Sequence, residues 1–175
     1  MKKIVIAIAF LFVVLYVKAQ TKERNFIYAA NIGTGIAMSE PSKVPLSLQF
    51  LGHYRITERF SAGLGTGLSL YEMPLIPIFA DAKFAITRPH KFTPYVECGS
   101  GYAFAPSKNA HGGFHLNASV GVQYALSGKI KLHLAAGYEL QKLERLKIYE
   151  NHYFTAEFVE KLSHSSIAAK IGIVF

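Results

Sequence analysis

His164-Ser165-Ser166 sets a histidine and a serine two residues apart, the types a nucleophile and its base require. Serine attacks only when a base lies within hydrogen-bond reach and an acid orients that base. No Asp or Glu follows Ser166 before the chain ends at Phe175, so this stretch lacks the third member. Seven histidines raise metal binding as well. His111 and His115 are four apart, but on a loop-to-strand path and not a helix, so they do not share a face. His90 and His152 fall in connections. Cys98 is the one cysteine, which excludes a disulfide framework and a thiolate metal cluster. No run of Lys and Arg interleaves with aromatics, which argues against nucleic acid. These residues lead to an expectation of no enzyme activity, no metal and no cofactor.

The elements that must position these groups begin after a separate leader. Met1-Lys2-Lys3 is a short positive region, and Ile4 to Val17 is continuously apolar. That run is short for a membrane-spanning helix, which needs about 20 residues. Val17-Lys18-Ala19 suits a signal peptidase, so residues 1–19 are expected to be removed and 20–175 to form one domain. Losing Lys2, Lys3 and Lys18 takes the formal charge from +8 to +5, a modest and scattered excess.

From Asn25 the apolar residues recur with period two, not 3.6. Eight runs result: Asn25–Met38, Pro45–Ile56, Phe60–Leu70, Ile76–Thr87, Phe92–Phe104, Gly113–Leu126, Lys129–Gln141 and His164–Phe175. Each is long enough to cross a bilayer when tilted, which takes about 9–11 residues. Short turns follow the second, fourth and sixth runs, at Thr57-Glu58-Arg59, Arg88 to Lys91 and Ser127-Gly128. Longer polar links are expected at Ser39 to Val44, Tyr71 to Leu75, Ala105 to Gly112 and Lys142 to Ser163. Short turns on one side and long loops on the other are the habit of transmembrane barrels.

Parity separates two faces. In the seventh run Ile130, Leu132, Leu134, Ala136, Tyr138 and Leu140 oppose Lys131, His133, Glu139 and Gln141. In the sixth, Phe114, Leu116, Val120, Val122 and Tyr124 oppose His115, Asn117, Ser119 and Gln123. The polar face is too rich in charge for a soluble core, and the apolar face too large to leave in water. The apolar face is therefore the outer, lipid-facing one. Phe26, Tyr28, Tyr54, Phe60, Phe92, Tyr124 and Phe175 make one aromatic girdle, and Tyr102, Phe104, Phe114 and Tyr138 a second, with no Trp in either. The expected fold is all-β: an eight-stranded antiparallel up-and-down transmembrane barrel with both termini on one side.

At this point the chain resembles the small outer-membrane barrels, the OmpA transmembrane domain and OmpX type, and in particular the short outer membrane protein β-barrel domain family. The resembling residues are Tyr54-Arg55-Ile56-Thr57-Glu58-Arg59-Phe60, the glycine-rich strand Phe60 to Leu68, Ile76 to Asp81, and the ending Lys170 to Phe175. The resemblance implies an integral outer-membrane protein with periplasmic termini, embedded in lipid and lipopolysaccharide. It also implies that Ile171, Ile173 and Phe175 form the signal read by the barrel-assembly machinery. Some barrels of this size are lipid A deacylases with a His-x-Ser pair, but His164 and Ser166 take the inward parity here.

Eight strands enclose a space that side chains fill. Arg55, Asp81, Lys83, Glu97, Lys131, Glu139 and Lys170 point inward by parity, with His53 and His133. Gly63, Gly65 and Gly67 leave room beside them, and Lys83 falls opposite Glu97 or one pleat away. An ion-pair and hydrogen-bond network closing the lumen is expected. Function then moves to the outside loops, above all Lys142 to Ser163. That segment is either a hairpin extending its two strands, with a tip near Glu150-Asn151-His152, or a short helix from Thr155. The role expected is structural or surface-interacting, with a surface partner possible at this loop. The alternatives are a narrow ion or solute channel and, behind it, a lipid A-modifying enzyme.

Overall fold

The computed structural model describes residues 25–39, 46–70, 74–106, 110–127, 130–151 and 154–175, with backbone alone at 110, 127, 145–151 and 154–161. The leader and its cleavage point lie outside these residues. The strands are β1 (Phe26–Ala37), β2 (Leu46–Arg55), β3 (Phe60–Leu70), β4 (Pro74–Ala85), β5 (Phe92–Phe104), β6 (Ala110–His111), β7 (Gly113–Ser127), β8 (Ile130–Asn151) and β9 (Phe154–Val174). β6 is a two-residue piece against β8; the other eight form the wall, each antiparallel to its neighbours. β9 pairs with both β8 and β1, so the sheet closes and has no edge within the barrel. Tyr28 and Phe175 exchange two 2.9 Å backbone hydrogen bonds at the seam.

All eight expected strands are present, and the hairpin register follows from the turns. At 56–59 the Ile56 amide donates to the Phe60 carbonyl at 3.0 Å, and Thr57 Oγ1 accepts from the Phe60 amide at 2.9 Å. One expectation changes. β3 and β4 stay paired to Leu70↔Pro74, so this link is 71–73, close in length to the turns at the other end. Of the two forms left open for the last link, the hairpin is the one present: β8 and β9 pair continuously from Lys142↔Ser163 to Asn151↔Phe154. A helix there would forfeit the ladder that β8 already offers.

Pro77 sits within β4, where it cannot donate to a ladder. The pairing with β3 lapses between Thr66↔Ile78 and Ser69↔Leu75, whereas the pairing with β5 runs on through Pro77↔Ala103. The missing N–H is thus confined to one side of the strand.

Burial is inverted relative to a soluble protein. Leu134 is 63% exposed and Ile36 74%, while Glu97 is 5% and Glu139 1%. A contiguous apolar surface of this extent demands a hydrocarbon environment. Leu134 faces outward near the middle of the part of β8 that pairs with β7, Ile130 to Gln141. Leu134→Lys is expected to destabilise the barrel by about 2–4 kcal/mol in a bilayer. Unfolding in lipid vesicles measures this, and a neutral outcome would place the outer face in water.

Candidate functional site: the barrel lumen

The lumen is built by alternate residues of every strand, so its content is set by inward parity and cross-strand register. Lys83 and Glu97 are direct partners between β4 and β5. Their Nζ and Oε2 are 3.1 Å apart, and both side chains are nearly excluded from solvent. The Lys83 ammonium also lies 3.8 Å from the centre of the Tyr95 ring, a cation–π contact. His53 and Asp81 are both register partners of Gly63, one on each side. Glycine carries no side chain between them, and His53 Nε2 reaches Asp81 Oδ2 at 2.9 Å.

A second chain of contacts crosses the barrel. His133 Nε2 is 2.6 Å from Asn31 Oδ1, and His133 Nδ1 is 2.9 Å from the Tyr95 hydroxyl. The Asn31 oxygen can only accept, so Nε2–H donates to it and the Tyr95 O–H donates to Nδ1. A Cβ at Gly172 would collide with both His133 and Asn31, so glycine is what lets these two strands' side chains meet. Farther in, His115 Nδ1 is 2.9 Å from Gln141 Oε1, and the Gln141 amide donates to the Lys142 carbonyl at 2.8 Å.

The seven charged residues named from parity divide into two groups. Asp81, Lys83, Glu97, Glu139 and Lys170 are buried in the lumen. Lys170 adds its charge to the field at Glu97, although its Nζ has no hydrogen-bond partner among the described residues. Arg55 and Lys131 stand apart at the barrel end that holds Asn25 and Phe175: Arg55 is exposed, Lys131 half-buried. Ile171, Ile173 and Phe175 are exposed on the outer face of the last strand.

Parity of charges alone missed the apolar half of the filling. Phe79 is fully buried inside and packs with Ala29, Leu51 and Val174. Its ring occupies the space a Gly65 side chain would need. Tyr95 does the same opposite Gly121. The signal was readable: a bulky inward aromatic paired across the ladder with glycine, each filling what the other leaves empty. Toward the protruding hairpin, Leu75, Ala103 and Leu143 form a second buried apolar cluster, flanked by Ala105 and Leu162.

His164 and Ser166 are inward and buried. The register puts Glu139 directly opposite Ser166 and Gln141 opposite His164. A carboxylate absent from the sequence downstream is thus supplied by the neighbouring strand. Ser166 is nevertheless 1% exposed, so an acyl substrate would have to displace packed lumen side chains to reach it. Among the described residues no group of three His, Cys, Asp or Glu side chains stands together as a metal site requires. His111 is exposed and His115 buried, so that pair points to different surroundings. Cys98 is a free thiol on the exposed outer face.

No protein-family model and no curated protein sequence matches the chain. Solved structures do. The Neisserial surface protein A matches with a TM-score of 0.55 at 18% identity, covering 87% of this chain and 98% of its own. The outer membrane protein AlkL matches with a TM-score of 0.58 at 12% identity, covering 90% and 93%. The N-terminal β-barrel domain of Pseudomonas aeruginosa OprF matches with a TM-score of 0.52 at 13% identity, covering 88% and 100%. The chain has the closed eight-stranded fold of the small outer-membrane β-barrel proteins.

Proposed function

We propose that this chain is an integral outer-membrane barrel that acts as a structural or surface-interaction platform, with a closed lumen and no enzyme activity. The carrying observation is the pairing of a filled interior with a long protrusion. Charged pairs, the Tyr95–His133–Asn31 chain and the Leu75–Ala103–Leu143 cluster occupy the path a solute would take. Beyond the barrel, β8 and β9 run on as a ribbon of roughly 30 Å at the usual strand rise. β6 accompanies it only at Ala110↔Arg145 and His111↔Glu144. Past that point β8 and β9 pair only with each other among the described residues, and a strand edge is a template for an extended partner segment. The backbone register sets Glu144 opposite Lys161 and Arg145 opposite Glu160.

In this reading residues 1–19 are a leader removed on export, both termini face the periplasm, and the ribbon from Lys142 to Ser163 faces outward. Lipid and lipopolysaccharide cover the outer face. The assembly machinery reads Ile171, Ile173 and Phe175. Two measurements test it. The outer-membrane fraction should contain a protein that migrates faster unboiled than boiled; a soluble, unshifted product contradicts the reading. Deleting Lys147–Lys161 should leave that shift intact while abolishing adhesion to a host or abiotic surface. Loss of the shift itself would make the ribbon a folding element.

A further inference from the structure

At the end of the barrel holding Asn25 and Phe175, the lumen widens into a cavity of about 310 Å³. Tyr95, Lys83 and His53 line its inner part; Ile27, Ala29 and Val174 give it an apolar wall. Lys83 and His53 are already engaged by Glu97 and Asp81. Three further cations line it, Arg55 from β2, Arg59 from the following turn and Lys131 from β8, against the carboxylate of Glu58 and the terminal carboxylate of Phe175. Neither Arg55 nor Lys131 has an ion-pair partner among the described residues. Cations gathered in excess of counter-charge repel one another, and nothing in the strand pattern requires them at this level. Arg55 is the last residue of β2, where any polar side chain would serve the turn.

We propose that this vestibule binds a phosphate monoester carried on a small apolar body. One positive charge remains in excess of these two carboxylates, and neither Arg55 nor Lys131 is held in an ion pair among the described residues, so both are open to a phosphate monoester, which carries roughly −1.5 to −2 near neutral pH. A guanidinium supplies a planar fork of donors and an ammonium a movable point charge, a combination suited to phosphate oxygens. The volume is at the small end of ligand sites, enough for a phosphate and a single ring or short chain. The Lys83–Tyr95 floor makes the vestibule blind, so the ligand is held and not conducted. The site goes beyond the platform role and does not depend on the hairpin.

The test uses the full barrel folded in zwitterionic micelles, with phenyl phosphate as the probe and phenol as its uncharged control, read by ³¹P and ¹H NMR line broadening. Phenyl phosphate is expected to bind and phenol not. Arg55→Gln with Lys131→Gln should weaken binding at least tenfold while the heat-dependent gel shift is retained, since both side chains sit at the rim. The same ligand chemistry exists on a lipid headgroup. In nanodiscs of phosphatidylcholine with phosphatidic acid, enrichment of the monoester lipid around the wild type, lost in the double variant, would assign the site to lipid. Binding in micelles assigns it to a soluble monoester. Absence of both, or binding unchanged in the double variant, overturns the proposal.

Discussion

Glu97→Leu is expected to lower the unfolding free energy of the barrel by about 3–5 kcal/mol, the loss typical when one partner of a buried ion pair is removed. Glu97 is 5% exposed and 3.1 Å from Lys83 Nζ, so the substitution strands an ammonium in a closed interior. Most of the loss is the cost of that uncompensated charge, not the value of the pair. The double variant Lys83→Met, Glu97→Leu is therefore expected to recover most of the stability, because apolar side chains of similar volume replace both charges. Recovery should be incomplete, since the Lys83 contact with the Tyr95 ring is lost as well. Urea titration in micelles followed by far-UV circular dichroism gives the values; the chain has no Trp for fluorescence. A double variant no more stable than Glu97→Leu would mean that Lys83 is not what Glu97 neutralises.

Phe79→Ala should cost about 3–5 kcal/mol, the range for truncating a buried aromatic. Phe79 is 2% exposed and packs with Ala29, Leu51 and Val174, and its ring also lies 5.2 Å from that of His115. The strands around it cannot collapse inward, because the closed ladder holds the wall at constant circumference. The cavity left behind should therefore persist. Gly65→Val alone should cost about 1–3 kcal/mol by overpacking against the same ring. Combined, the two should be less harmful than their sum, because the valine enters space the phenylalanine vacates. Strict additivity of the two losses would show that Gly65 and Phe79 do not share that volume.

Both predictions bear on how much of the lumen was legible in the sequence. Lys83 and Glu97 were, because the short connection between the fourth and fifth runs limits the pairing to one or two registers, and the observed one is Lys83↔Glu97. The room beside Gly63 was legible too, and His53 and Asp81 meet there. Phe79 and Tyr95 were not, because an aromatic residue suits the outer girdles as well as the interior. Their glycine partners, Gly65 and Gly121, identify them as filling only once the register is known. Arg55 and Lys131 carry the same inward parity as the buried charges. Parity has no depth coordinate, so it could not separate a sealed charge from one at the rim.

The alternation of apolar and polar residues by itself determined the strands, the face that meets lipid, and the closure into eight. Those follow from a two-residue repeat that places every side chain on one side or the other of the wall. Which inward groups touch was decided only by the tertiary structure. Strand tilt and stagger set which levels of eight strands coincide, and no local pattern encodes that alignment around the whole ring. The carboxylate of Glu139 facing Ser166, the Tyr95–His133–Asn31 chain and the unpaired cations of the vestibule all arise there. The hairpin of β8 and β9 belongs with the second case: its sequence leaves strand and helix both open, and strand forms there because a neighbouring ladder is already in place.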